Sequence, residues 1–226
     1  MAKLHWERVT LDTLGWLWGA RSYLEEVVTI LPHIEDQHRK ALFQVAKESL
    51  LPESDQRAYL DDVDSKFRYW IPRLFGYSVI ILVHTVVETQ LLATANRLCK
   101  LHEYQVGPGD FRGDPITRSK VFLTKIANLD VGTDTAWPTL RDLAKIRHII
   151  VHRGEQQGSA ADEQDEVRQL LRRYEGRLSL FGRVDDPASE LQVSSELCRR
   201  FIDDAEHFFR RLFAQAGLPQ EVQREQ

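Results

Sequence analysis

The stretch Arg73-Leu-Phe-Gly-Tyr-Ser-Val-Ile-Ile-Leu-Val-His-Thr-Val-Val-Glu-Thr-Gln-Leu-Leu-Ala-Thr-Ala-Asn-Arg-Leu-Cys-Lys-Leu-His102 decides the fold class. Tyr77, Ile81, His84, Glu88, Leu91, Ala95 and Leu98 recur at alternating steps of four and three, the spacing of one stripe on an α-helix. The segment predicts a long buried helix over about 73–102. Two polar residues, His84 and Glu88, fall within its apolar stripe. A buried polar group needs a partner, so Glu88 is expected to face a cation or a backbone donor and to give structural polar support. His84 is expected to be a hydrogen-bonded core histidine.

The same periodicity extends in both directions. Leu11, Leu14, Trp18 and, less regularly, Leu24, Val27 and Val28 predict a helix over 11–31 stopped by Pro32. A second helix follows over about 32–50, and a third from Pro52 to Trp70, with Pro72 as the next break. Three of the five tryptophans, Trp6, Trp16 and Trp18, precede position 20 and read as core or partner packing. Downstream, the turn-rich 106–114 leads to a helix opened by Pro115. Trp137-Pro138 opens another, which Gly154 closes. Asp162 to Glu175 is a charged helix. Arg177–Arg183 alternates as a short strand and can pair with Glu190–Val193. Ser194 or Ser195 caps a last helix over 196–214. The fold class is therefore all-α, with a short β-hairpin before the last helix.

Composition narrows the function. The chain has 226 residues and a formal net charge of −4, from 30 Lys and Arg against 34 Asp and Glu. That balance excludes a protein gripping nucleic acid by bulk positive charge. Cys99 and Cys198 are the only cysteines, so neither a disulfide framework nor a thiolate zinc site is available. The start at Met1-Ala-Lys shows no secretory signal. The apolar run 74–87, interrupted by Ser78, His84 and Thr85, reads as a buried helix, not a membrane span. The expectation is a soluble, cytoplasmic chain without membrane partners.

No phosphate-binding glycine loop, nucleophile elbow or zinc-protease helix is present. The one dense group of chemical side chains is Lys145-Ile-Arg147-His148-Ile-Ile-Val-His152-Arg153-Gly154. Ile146, Ile149 and Ile150 hold the inner side of this helix. His148 and His152, four apart, share a face, and the long Arg147 side chain reaches the same polar surface. A two-histidine metal site with Glu155 nearby competes, but a third fixed ligand is not evident. The reading therefore needs no metal and no cofactor. Arg97-x4-His102 and Arg141-x6-His148 also fit a bare Arg-x4–6-His spacing. Arg147-x4-His152 is singled out because a polar residue follows the Arg and a glycine closes an Ile-rich helix.

On these residues the chain resembles the HEPN family (higher eukaryotes and prokaryotes nucleotide-binding), whose motif is R-x4–6-H. The segments 111–123 and 137–147 and the long helix carrying Glu88 are similar to segments of prokaryotic HEPN-like proteins. Members commonly carry Asn or Asp where His148 stands. The resemblance covers roughly 73–215. It implies a HEPN-like helical bundle over 73–216, an N-terminal helical extension over 1–72 and a flexible tail over 217–226. It further implies a homodimer that cleaves RNA without metal, as prokaryotic toxins and defence effectors do, together with an antitoxin or defence-system partner. Arg147, His152 and His148 would be catalytic, and Arg153 and Lys145 would bind RNA. The alternative is a non-catalytic HEPN-like interaction or scaffold module that dimerises and binds a protein or nucleic-acid partner.

Overall fold

The computed structural model describes residues 2–48 and 52–218. Of the tail expected over 217–226, residues 219–226 lie outside the described residues, as does the side chain of Trp6, while Leu218 is buried. The fold is all-α. Its elements are α1 (Ala2–Glu48), α2 (Glu53–Ser65), α3 (Ile71–Leu101), α4 (Pro115–Lys125), α5 (Trp137–His152) and α6 (Ala161–Arg173), then β1 (Leu178–Phe181), β2 (Glu190–Val193) and α7 (Ser195–Gln215). The two strands pair antiparallel, with Leu178 opposite Val193 and Phe181 opposite Glu190, as the alternation predicts.

Two prolines do not break the chain where the sequence predicts a stop. α1 runs through Pro32, because a helix this long carries enough intact turns to absorb one missing donor. Between α2 and α3 the helix does not end either. Lys66–Trp70 forms a single π-helical turn, so that Glu53–Leu101 is one rod of 49 residues. The wider i→i+5 turn relieves the crowding that the Pro72 ring would otherwise impose.

The face that α1 buries also differs from the expected one. Thr10, Thr13, Leu17, Ala20 and Leu24 are almost completely buried, whereas Leu11, Trp16 and Trp18 are 45%, 58% and 70% exposed. A threonine can share that face with Leu17, Ala20 and Leu24 because its hydroxyl finds partners inside. The Thr13 hydroxyl lies 2.8 Å from the Val9 carbonyl and 3.0 Å from the Gln90 side chain.

Contacts divide the chain into two compact units. The first comprises Met1–Arg21, Ile80–Gly154 and Arg199–Gln226, and the second Ser22–Val79 and Glu155–Cys198. Within residues 1–72, 1–21 fall in the first unit and 22–72 in the second. In the first unit the core combines Val83, Val87 and Leu91 of α3 with Leu143 and Ile146 of α5 and the aromatic side of α7, where Phe201, Phe208, Phe209 and Phe213 are buried. Arg21 pairs there with Asp203 at 2.5 Å and Glu206 at 3.0 Å.

In the second unit, Val167, Tyr174, Leu178 and Leu191 form the core beside Leu24, Phe67 and Tyr77. A buried arginine organises its polar part. Arg73 is 6% exposed. It pairs with Glu155 at 3.2 Å and with Glu190, and its guanidinium lies 4.6 Å from the Tyr69 and Trp70 ring centres. Tyr69 donates to Glu190, and burial together with that bond pushes its hydroxyl up to about 12. Tyr77 donates to the Leu191 carbonyl, and burial, with the Glu155 charge nearby, holds it protonated well above the usual tyrosine range. At Gly76 a Cβ would stand 2.8 Å from the Val193 carbonyl oxygen, so only glycine admits this approach of α3 to β2.

One window in the 53–101 rod is long and apolar enough to cross a bilayer by composition, and half of it is buried inside the protein. Cys198 is buried and Cys99 half-buried.

Candidate functional site

α5 is fixed by its apolar face. Leu143, Ile146 and Ile149 are fully buried and Ile150 nearly so. With that side committed, Arg147, His148 and His152 turn outward at the C-terminal end, Arg147 half-buried and both histidines exposed. The helix stops where the sequence predicts. Arg153 donates its backbone N–H to the Ile149 carbonyl, and Gly154 follows at φ +60°, a left-handed conformation suited to glycine.

The motif residues meet. Arg147 Nη1 lies 2.8 Å from His152 Nε2. A guanidinium only donates, so Nε2 must be the acceptor and the ring proton resides on Nδ1. His152 therefore presents a lone pair, held by the arginine that the motif pairs it with. The His148 ring centre lies 4.9 Å from that of His152, with the planes inclined at 42°. Arg147 Nε is buried without a hydrogen-bond partner among the described residues.

Arg147 and His148 also form part of the wall of an open cavity of about 740 Å³ within the first unit, lined by side chains of α3, α4 and α5. That volume falls in the range of roughly 300–1,000 Å³ common to small-molecule sites. α4 supplies Ile116, Lys120, Val121 and Lys125; α5 supplies Trp137, Leu140, Arg141 and Lys145. Lys120 Nζ stands 5.0 Å from the centre of the Trp137 ring. Five cations, Lys120, Lys125, Arg141, Lys145 and Arg147, face the cavity against two carboxylates, Glu88 and Asp114. In a chain of net charge −4 this is a local concentration of positive charge.

The two carboxylates differ. Asp114 caps α4, accepting from the Thr117 backbone N–H at 2.9 Å and from its hydroxyl at 2.7 Å. Burial raises its pKa, but the Thr117 hydrogen bonds outweigh that and hold it below the ordinary carboxylate value. Glu88, by contrast, makes no hydrogen bond or ion pair with another described residue. It is half-buried and faces the cavity. One turn earlier on α3, His84 is only 8% exposed and lines the same space. Burial lowers its pKa, and the Arg147 charge lowers it further, against an opposing pull from Glu88. The expected hydrogen-bonded core histidine is thus a buried one with no hydrogen-bond partner among the described residues, turned towards a cavity.

The remaining candidates are distributed as follows. Lys145 lines the cavity, and Arg153 ends α5 with Nε and Nη1 buried. Glu155 is the ion-pair partner of Arg73. No group of three or more His, Cys, Asp or Glu side chains suited to a metal ion occurs among the described residues. Sequence reasoning did not find Lys120, Trp137 or Arg141. A signal exists, because Trp137, Arg141, Ala144 and His148 follow steps of four, three and four, one face of α5.

Comparison with protein-family models, curated proteins and solved structures returned no match.

Proposed function

We propose that this chain is a metal-independent endoribonuclease of HEPN type, cytoplasmic and homodimeric, serving as a toxin or defence effector. The observation that carries the reading is the 2.8 Å hydrogen bond from Arg147 to an unprotonated His152 Nε2 beside a cationic cavity. RNA brings its own nucleophile, so the protein has only to move protons and stabilise charge on phosphorus. Arg147 exchanges its histidine partner for two phosphate oxygens, a bidentate contact suited to a guanidinium. That exchange frees His152 Nε2 to take the proton of the ribose 2′-hydroxyl. The 2′-oxygen then bonds to phosphorus as the bond to the 5′-oxygen breaks, and the leaving oxygen needs a proton. In a homodimer the second copy of His152, in its protonated form, supplies it. His148, against His152, orients phosphate or the other histidine, and Lys145 and Arg153 add positive potential along the RNA.

The test is cleavage of single-stranded RNA in EDTA. Wild-type protein yields 2′,3′-cyclic phosphate ends with a bell-shaped pH dependence, and His152→Ala lowers the rate about 10²- to 10⁴-fold with unchanged folding. Equal cleavage by wild type and His152→Ala refutes the mechanism, and loss of activity on chelation points to metal chemistry instead.

A second reading, the non-catalytic interaction module, is favoured by Trp16 and Trp18, 58% and 70% exposed on α1. Under it both proteins are inert towards RNA, and Trp18→Ser abolishes partner binding.

A further inference from the structure

The cavity beside Arg147 is built for more than a phosphate. Its walls are largely apolar, with Ile116, Val121, Leu140 and Trp137 offering surfaces against which a flat ring packs. Within that lining sit His84, more than nine-tenths buried, and Glu88, neither of which hydrogen-bonds another described residue. Being four residues apart on α3, they share one helix face. A nearly buried imidazole and a carboxylate one turn apart, both on the wall of one cleft and neither hydrogen-bonded to another described residue, offer their polar atoms to a ligand that enters it.

The chemistry of the pair defines that ligand. A carboxylate only accepts hydrogen bonds, and a neutral imidazole offers one donor and one acceptor. Their complement is a planar group with two adjacent N–H donors next to an acceptor. Guanine has that edge: N1–H and N2–H₂ fit a carboxylate, and O6 takes the imidazole N–H. Adenine and cytosine would turn a ring-nitrogen acceptor towards Glu88. Uracil has a single N–H between two carbonyls.

We infer that the cavity binds one guanine nucleotide of the RNA, with Glu88 holding N1–H and N2–H₂, His84 holding O6, and the phosphate at Arg147. This rests on the ribonuclease reading and sharpens it, because cleavage then falls beside guanosine. Lys120, Lys125 and Arg141 around the cavity attract the backbone without regard to sequence, so base selection belongs to α3.

The experiment has a binding arm that needs no catalysis. Guanosine, inosine and adenosine 3′-monophosphates are titrated calorimetrically against the full chain. The guanosine form binds about 10- to 100-fold tighter than the adenosine form. Inosine, which lacks the 2-amino group, loses much of the difference. Glu88→Gln, isosteric and checked by circular dichroism, and independently His84→Phe, each reduce the guanine preference about tenfold while adenosine monophosphate binds as before. Equal affinities, no detectable guanosine monophosphate binding, or a preference that survives Glu88→Gln overturn the inference. The cleavage arm uses oligonucleotides with a single guanosine moved along the chain. Cutting that ignores the guanosine overturns the inference and leaves the ribonuclease intact. Guanine-selective binding without any cutting upholds the pocket and overturns the enzyme.

Discussion

Arg73 and Arg147 have the same side chain in opposite circumstances. Arg73, 6% exposed, is sandwiched against Tyr69 and Trp70 and neutralised by Glu155 and Glu190. Its charge is consumed by the fold. Arg147 shares a cavity wall with four other cations and bonds a neutral histidine, which leaves its charge uncompensated. A buried cation whose carboxylates are supplied by its own unit holds segments together. One whose nearest partner is neutral keeps its electrostatic capacity for something that arrives from outside. The distinction separates an arginine whose charge the fold consumes from one whose charge stays available.

Mutations can break this contrast in either direction. The largest effect is expected at Arg147. Under the proposed ribonuclease mechanism Arg147→Ala lowers RNA cleavage about 10²- to 10³-fold, as removal of a preorganised charge does, while its unfolding free energy changes by less than about 1 kcal/mol. A loss of stability matching the loss of rate would assign Arg147 to the structural class. Arg73→Met is expected to behave in the inverse way. It leaves Glu155 and Glu190 without their cation and costs about 3 kcal/mol in urea titration, with unchanged turnover per folded molecule.

Gly76→Ala probes the same cluster by shape instead of charge. Its Cβ would meet the Val193 carbonyl at 2.8 Å, so a destabilisation of about 1–3 kcal/mol is expected. A neutral result would mean that β2 shifts freely, and that the Arg73 cluster is less rigid than its contacts imply.

The smallest effect concerns pH. Burial depresses the pKa of His84 below its unfolded value, so the unfolded chain binds a proton more readily than the folded one. Stability from this group is complete above ~6.5, the ordinary histidine value, and is lost as pH falls from there through the folded value. Thermal melting between pH 7 and pH 5 should therefore fall more steeply in wild type than in His84→Phe. Identical slopes would show that His84 is solvated.

Much of this was readable in the sequence. The long helix α3, the hairpin alternation and the Gly154 stop each report local rules that tertiary packing had no reason to override, although α3 buries Val79, Ile80, Val83 and Val87 beside the expected stripe while Ile81 is only half-buried. So did the meeting of Arg147 and His152, since residues five apart at a helix end lie within reach of a long side chain. What was not legible depends on partners distant in sequence. Thr10 and Thr13 displace Leu11 and Trp18 from the buried face of α1, and the Thr13 hydroxyl reaches Gln90 on another helix. The cavity needs α3, α4 and α5 together, so Lys120 and Arg141 look like ordinary solvated charges until the helices assemble. Pro32 and Pro72 misled for another reason: a proline signals a cost, and whether a helix bears it depends on the turns around it.

The π-helical turn at Lys66–Trp70 acts as a phase adjuster. An extra residue in one turn changes the facing of everything upstream by about 100° relative to a plain α-helix. In the second unit, α2 depends on that facing. Asp64 meets Arg39, and Phe67 lies 5.3 Å from His38 by ring centres. Deleting a single residue within 66–70 would regularise the helix yet rotate Asp64 away from Arg39. Local helix geometry would improve while the pairing of α1 with α2 was lost. In this rod an irregularity carries positional information, and straightening it would erase that information.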